Sequence, residues 1–288
     1  MSPRVHKTYK LYIGGKFPRS ESGRTLPLMV SEDDQVQICR SSGKDLRNAV
    51  EAARKAVPAW SRAEPMLRGQ ILYRISEMLW ARREEFIGLL VKHAKLRRPS
   101  AEKELSLSCD RLLHYAGWCD KYGQVLASVN AVPGPYFSFS MPVATGVISL
   151  LPPERPGLLP LMSCLAPALV PGNSTVMLSS IECAPIAMSL AEVLGSSDVP
   201  AGVVNILSGS REELLAEFAK HRGIDGALLS APGEGEAQLL GREASNSLQR
   251  VKVIDYQHRR QWANPNAQGL GWIEPFVEIK TAWHSMGR

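Results

Sequence analysis

The chain has 288 residues, 44% of them hydrophobic and 22% charged, with a net charge of +6. That is enough apolar sequence to bury a core in one or two globular domains, so a disulfide framework is not needed for stability. Basic residues come in pairs such as Arg97-Arg98 and Arg259-Arg260, with no long run and no stripe alternating with aromatics, which excludes nucleic acid as an expected partner.

The cysteines Cys39, Cys109, Cys119, Cys164 and Cys183 are odd in number and lack CxxC spacing, as expected of reduced thiols in the cytoplasm. MSPRVHKTYK has no apolar leader core and no run is long enough to span a bilayer, so no membrane association is expected.

In chain order, YKLYIGGKF reads as a strand broken by a Gly14-Gly15 hairpin turn. KDLRNAVEAARKAVPAW places Leu46, Val50, Ala53 and Val57 on one helical face, with Pro58 as the expected exit. One long helix is expected after Pro65, carrying Leu67, Ile71, Ile75 and Leu79, and another over EKELSLSCDRLLHYAGWCDKYG. The first 120 or so residues therefore read as mostly helical. VPGPYFSFS, with Tyr136, Phe137 and Phe139 among turn residues, reads as a hairpin around Val132 to Ser140.

A regular alternation then begins. GVISLL, STVML, VVNIL, IDGALLS and RVKVI are short apolar strands, and four helical stretches join them. Strands apolar throughout and linked by helical crossovers specify a parallel sheet covered on both faces. The fold class is α/β, a doubly wound Rossmann-like unit with an N-terminal helical segment and a β-hairpin element. Past Tyr256 the polar QHRRQWANPNAQGLGWIEP reads as loop, ending in a strand over FVEIKTAWHSMG.

These pieces resemble the aldehyde dehydrogenase superfamily from Leu11 to about Asp255. LYIGGKF, DLRNAVEAARKAVPAW, LAPALVPGNSTVM, VPAGVVNILSG and HRGIDGALLS carry the resemblance by their order and spacing, and FVEIKTAW resembles the family's C-terminal strand. The pattern is most like the degenerate second half of the family 16 branch. The resemblance divides the chain into a helical part (1–122), an oligomerisation hairpin (123–145), a nucleotide-binding unit (146–256), a junction (257–274) where the catalytic domain is missing, and an oligomerisation strand (275–288).

The family chemistry implied is NAD(P)-dependent aldehyde oxidation through a cysteine thiolate, an oxyanion-binding asparagine and a glutamate base. Each part departs from the pattern. The loop expected to read Pro-Trp-Asn-Phe-Pro is Pro152, Pro153, Glu154, Arg155 and Pro156, and an ionised Glu154 accepts hydrogen bonds without donating them. The cofactor lysine position falls on Leu178 or Ser179, though Glu182 remains as a ribose acceptor. The second glycine of Gly209-Ser210-Arg211 is lost, and Ser230-Ala231-Pro232 replaces a Thr-Gly-Ser turn. No cysteine follows Cys183, and Asp255 is the nearest carboxylate to the missing base.

Cofactor contacts by resemblance are then Pro152, Glu182, Gly209 and Ser230, all in a degenerate setting, with no catalytic residue and no metal ligand. Cys164 reads as a buried thiol within a helix, Cys183 as a thiol near a strand end, and His221 as a helix-terminal residue favoured by the dipole. His93 and His114 are isolated. The expected function is a non-catalytic interaction or scaffold module that binds no cofactor, associating with itself or with a full-length relative. The alternatives are an NAD-binding regulator or aldehyde oxidoreductase with residual activity, and a non-functional truncated product.

Overall fold

The computed structural model describes residues 7–31 and 34–287. It opens on a small sheet of β1 (Thr8–Tyr9), β2 (Thr25–Ser31) and β3 (Asp34–Cys39), in the order β1-β3-β2. Gly14 and Gly15 make the expected turn at φ +59° and +75°, a conformation that favours glycine. The β2–β3 hairpin lies in a stretch read as part of a mostly helical region. Its polar-apolar alternation, with Val36 and Ile38 turned inward, is the strand signal that reading passed over.

Helix α1 (Gly43–Arg62) starts at a capping box in which Ser42 and Asp45 exchange bonds. It does not end at Pro58. A proline this close to the C-terminus forfeits one hydrogen bond, and burial of Trp60 holds the last turn. The long helix expected after Pro65 is two, α2 (Pro65–Ala81) and α3 (Arg83–His93), because the backbone leaves helical geometry at Arg82 (φ −98°, ψ +22°). Next come α4 (Arg98–Ala116) and the short α5 (Tyr122–Leu126). The hairpin then forms from β4 (Ser128–Asn130) and β5 (Tyr136–Ala144), starting earlier than Val132.

The alternating half is β6 (Val147–Leu151), α6 (Leu158–Leu169), β7 (Ser174–Ser179), α7 (Ala184–Gly195), β8 (Val204–Ser208), α8 (Arg211–Lys220), β9 (Gly226–Ser230), α9 (Glu236–Ala244) and β10 (Arg250–Ile254). All five strands pair in parallel in the order β10-β9-β6-β7-β8. Successive side chains leave the sheet on opposite faces. Val147, Leu151, Val176, Leu178, Ala227 and Leu229 meet α1, α8 and α9. Ile148, Leu150, Met177 and Leu228 meet α6 and α7, with α2 to α4 as a further layer outside them. The outer edge of β8 is covered by the N-terminal segment, where Tyr12 and Ile206 exchange backbone hydrogen bonds of 2.9 and 2.7 Å.

The junction is not plain loop. It holds a short helix α10 (Arg259–Trp262) and two 3₁₀ turns (Leu270–Trp272, Glu274–Phe276), and it buries Trp262, Ala267, Ile273 and Phe276. Its density of apolar side chains, hidden among Asn, Gly and Pro, explains the order. The chain finishes in β11 (Val277–Ser285), antiparallel to β5 along its whole length, from Val277 opposite Ala144 to Ser285 opposite Tyr136.

Gly146, just before β6, sits at φ +137°, and a Cβ there would fall 2.1 Å from Asp225 Oδ2. That carboxylate is held by the Val147 amide at 2.8 Å and by Arg54 at 2.6 Å. Gly146→Ala is therefore expected to destabilise the chain by about 2–4 kcal/mol, since neither the backbone angle nor the carboxylate can give way. A urea midpoint within error of the parent would contradict this account of the turn.

Candidate functional site

In an open parallel sheet, ligands bind outside the carboxyl ends of the strands where the strand order reverses. Here β6 is central, β7 and β8 lie to one side, and β9 and β10 to the other, so the reversal falls between the ends of β6 and β9. Arg211 fills that crevice. It is the first residue of α8, only 3% exposed, and its guanidinium reaches over the strand ends. It donates to the carbonyls of Leu151 (3.4 Å) and Pro152 at the end of β6, and of Ser230 (3.2 Å) and Ala231 (3.3 Å) at the end of β9. Glu236, the first residue of α9, accepts from it at 3.0 Å and from the Gly233 amide at 2.8 Å.

The residues named from the sequence arrange themselves around this plug. Pro152 and Ser230 are buried and face Arg211 through their carbonyls, and Ser230 Oγ lies 3.4 Å from Cys164 Sγ. Gly209 ends β8 two positions before Arg211 and donates to Ser179 O at 3.0 Å. Glu182 stands apart: it is exposed in the turn before α7, and its side chain has no hydrogen bond or ion pair among the described residues. Leu178 and Ser179, the two positions for the missing lysine, are both buried. Ala231 adopts φ +46°, strained for a residue with a Cβ, so the turn before Pro232 is a tight one.

In the loop after β6, Glu154 and Arg155 are exposed while Pro152, Pro153 and Pro156 are buried. Ser180 Oγ donates to the Glu154 carbonyl at 2.6 Å and fixes the loop. The cleft between this loop and Tyr256, His258, Arg259 and Trp262 is narrow, with about 20 Å³ of space, room for a water molecule. Tyr256, Trp262 and Trp272 pack with ring centroids 5.4 to 6.0 Å apart and close it from the junction side. Below, buried Glu104 of α4 accepts the Leu158 amide (2.8 Å) at the start of α6 and pairs with Arg259 at 2.8 Å. An internal carboxylate thus holds the start of α6, where an anion would find donors.

All five cysteines are buried. Burial, the largest influence in each case, raises the Cys164 and Cys119 thiols to about 12 and those of Cys183 and Cys109 to about 11. The strand-end position of Cys183 suggested exposure, yet it is 1% exposed with Sγ 3.8 Å from the Gly157 carbonyl. His221 also differs from expectation. Burial lowers its pKa, and its Nδ1 accepts the Gly223 amide at 3.0 Å, so it is a neutral acceptor rather than a cation on the helix dipole. Among the described residues no group of three His, Cys, Asp or Glu side chains is placed to hold a metal, and no helix is long and apolar enough to cross a membrane.

The sheet order and the crevice define a Rossmann-type nucleotide-binding architecture. The aldehyde dehydrogenase family model matches residues 26–252, and the chain belongs to that family. It is 29% identical over 252 residues to putative aldehyde dehydrogenase DhaS of Bacillus subtilis (strain 168), covering 85% of this chain and 50% of that one. It is 31% identical over 259 residues to retinal dehydrogenase 2 of Gallus gallus, covering 86% and 48%. Among solved structures, 3,6-anhydro-L-galactose dehydrogenase in complex with NAP superposes with a TM-score of 0.80 at 21% identity, covering 86% of this chain and 52% of that one. An aldehyde dehydrogenase from Bacillus cereus in complex with NAD+ gives 0.79 at 21%, covering 86% and 50%. The chain spans half or less of the length of the curated relatives it matches.

Sequence reasoning recorded Arg211 as a lost glycine and missed that its side chain turns inward. It also missed Glu236, Glu104 and Arg259. A cation at the first position of a helix opposes the dipole, and that was the available signal at Arg211. The burial of the thiols carries a direct expectation. At pH 8 the native chain should react with none of its five cysteines when treated with a thiol reagent, and with all five in denaturant. Rapid native labelling of Cys164 or Cys183 would show the crevice to be open.

Proposed function

We propose that this chain is a non-catalytic member of the aldehyde dehydrogenase family that works as an interaction module, and that it holds no dinucleotide in its resting form. The observation that carries the reading is the burial of all five thiols, which leaves none of them exposed as the nucleophile that the family chemistry uses. The degenerate cofactor turns and the closed cleft support it, and within the family the pattern is nearest the second half of the family 16 branch. The NAD(P) complexes among its structural neighbours favour one second reading, a dinucleotide-binding regulator. The purified chain is expected to oxidise no aldehyde above the rate in buffer. Turnover that persists in the Cys164→Ala/Cys183→Ala double variant would reveal a nucleophile outside this account.

The surface for interaction is the sheet of β4, β5 and β11. Val129, Tyr136, Phe137, Met141, Ile279 and Trp283 are all at least 41% exposed on it, and a hollow of about 360 Å³ opens beside Val129, Phe137 and Phe139. Phe276 is buried, because its 3₁₀ turn packs into the main core before β11 begins. Exposed apolar strands with an open edge associate with other strands. We assign the contact to a second copy or a full-length family member. Light scattering at tens of micromolar is expected to show dimers or larger species, and deletion of residues 278–288, which spares Phe276, to leave a folded monomer. A monomeric parent chain removes the interaction reading and leaves the non-catalytic one standing.

A further inference from the structure

The crevice at the strand reversal satisfies itself. Two helix starts, those of α8 and α9, point into it, and such starts carry unpaired amides and a positive dipole end that attract phosphate. The chain supplies both signs of charge there. Glu236 puts a carboxylate on the Gly233 amide at the approach to α9, where an incoming anion would bind. Arg211, at the start of α8, spans to that carboxylate and covers the four carbonyls at the ends of β6 and β9. The pair is buried on the arginine side, with the two side chains 4% and 19% exposed. A cation here is disfavoured by the α8 dipole, and the carbonyls, Glu236, and Glu212 and Glu213 of the same first turn offset that cost.

We propose that Arg211 and Glu236 form an internal latch: the ion pair ties the starts of α8 and α9 together and occupies the place of a diphosphate, so the crevice is closed by these two side chains and not by loss of the fold around it. The proposal rests on the reading that the resting chain holds no dinucleotide, and it goes further by naming what excludes it. The sheet order, the parallel register and the convergence of helix starts are intact. The Gly233 amide at the approach to α9, one of the donors that would meet a diphosphate, is engaged by Glu236 rather than missing. Pro232 takes no part in the closure, and its carbonyl accepts Gln257 at 3.2 Å on the outside of the turn.

The test uses the full chain with ADP-ribose, NAD+ and inorganic pyrophosphate as probes. By calorimetry, Arg211→Gly/Glu236→Gln is expected to bind ADP-ribose at least about tenfold more tightly than the parent, with a matching upward shift in melting temperature. Pyrophosphate should compete. A folded double variant with the parent's affinity overturns the latch, as does a parent chain that already binds ADP-ribose at micromolar concentration. Should the double variant fail to fold, Glu236→Gln alone decides by hydrogen exchange. It removes the charge from the pair while the guanidinium stays on its carbonyls, and it is expected to raise exchange of the Gly233 amide by weakening that amide's acceptor. Exchange equal to the parent's overturns the proposal. Aldehyde turnover measured on the same samples separates the two readings: activity together with the expected gain in ADP-ribose binding refutes the non-catalytic reading and leaves the latch standing.

Discussion

A parallel sheet has to be covered on both faces, because its strands carry apolar side chains on each side and cannot present one to water. Everything else in this protein follows from how that requirement is met. On one face, α8 and α9 come from the crossovers and α1 comes from the amino-terminal part. On the other, α6 and α7 are overlain by α2 to α4. No part of that cover has to come from the catalytic half of a longer relative. A chain matching about half of such a relative can therefore bury a complete core and keep the sheet in register.

The junction after β10 is closed by two arginines from opposite directions. Arg259, in the junction, reaches inward to Glu104 and to the Pro156 carbonyl. Arg111, in α4, reaches outward to Ser163 Oγ at 3.0 Å and to the Trp262 and Ala267 carbonyls. A buried guanidinium is tolerable only where its donors are satisfied, and here backbone carbonyls of an irregular segment satisfy them. The irregular backbone in turn gains partners that a helix or sheet would otherwise have supplied. The junction is ordered because each side solves the other's hydrogen-bonding problem.

Much of the fold was legible before the structure, and the reasons are specific. GVISLL, STVML and VVNIL are short, mostly apolar and free of charged residues, a pattern that fits a strand buried on both sides. The β2–β3 hairpin was not legible, since it is a half-exposed element beside stronger helical patterns. The junction was opaque for a different reason: Trp262, Ile273 and Phe276 are too widely spaced for any period to show, and their burial depends on distant α4 and α6. At the candidate site, sequence spacing located Pro152, Gly209 and Ser230 at strand ends. It could not show that Arg211 folds back over them, because a rotamer and its acceptors belong to tertiary structure. The raised pKa of the thiols followed from burial alone and was foreseeable for Cys164, less so for Cys183.

The pairing of β5 with β11 has a consequence for how the chain assembles itself. The two strands flank the entire five-stranded unit in sequence, so their contact joins segments 141 residues apart at Ser140 and Thr281, and contacts between distant segments form late. Until β6 to β10 have collapsed and the junction has docked on α4, β5 has its partner edge bare, with Tyr136 and Phe137 alongside. During that interval any other chain's β11 is chemically the same partner as its own. The order of folding thus sets a competition between closing the sheet within one molecule and exchanging strands between two, and the outcome turns on concentration during folding rather than on the stability of the finished fold.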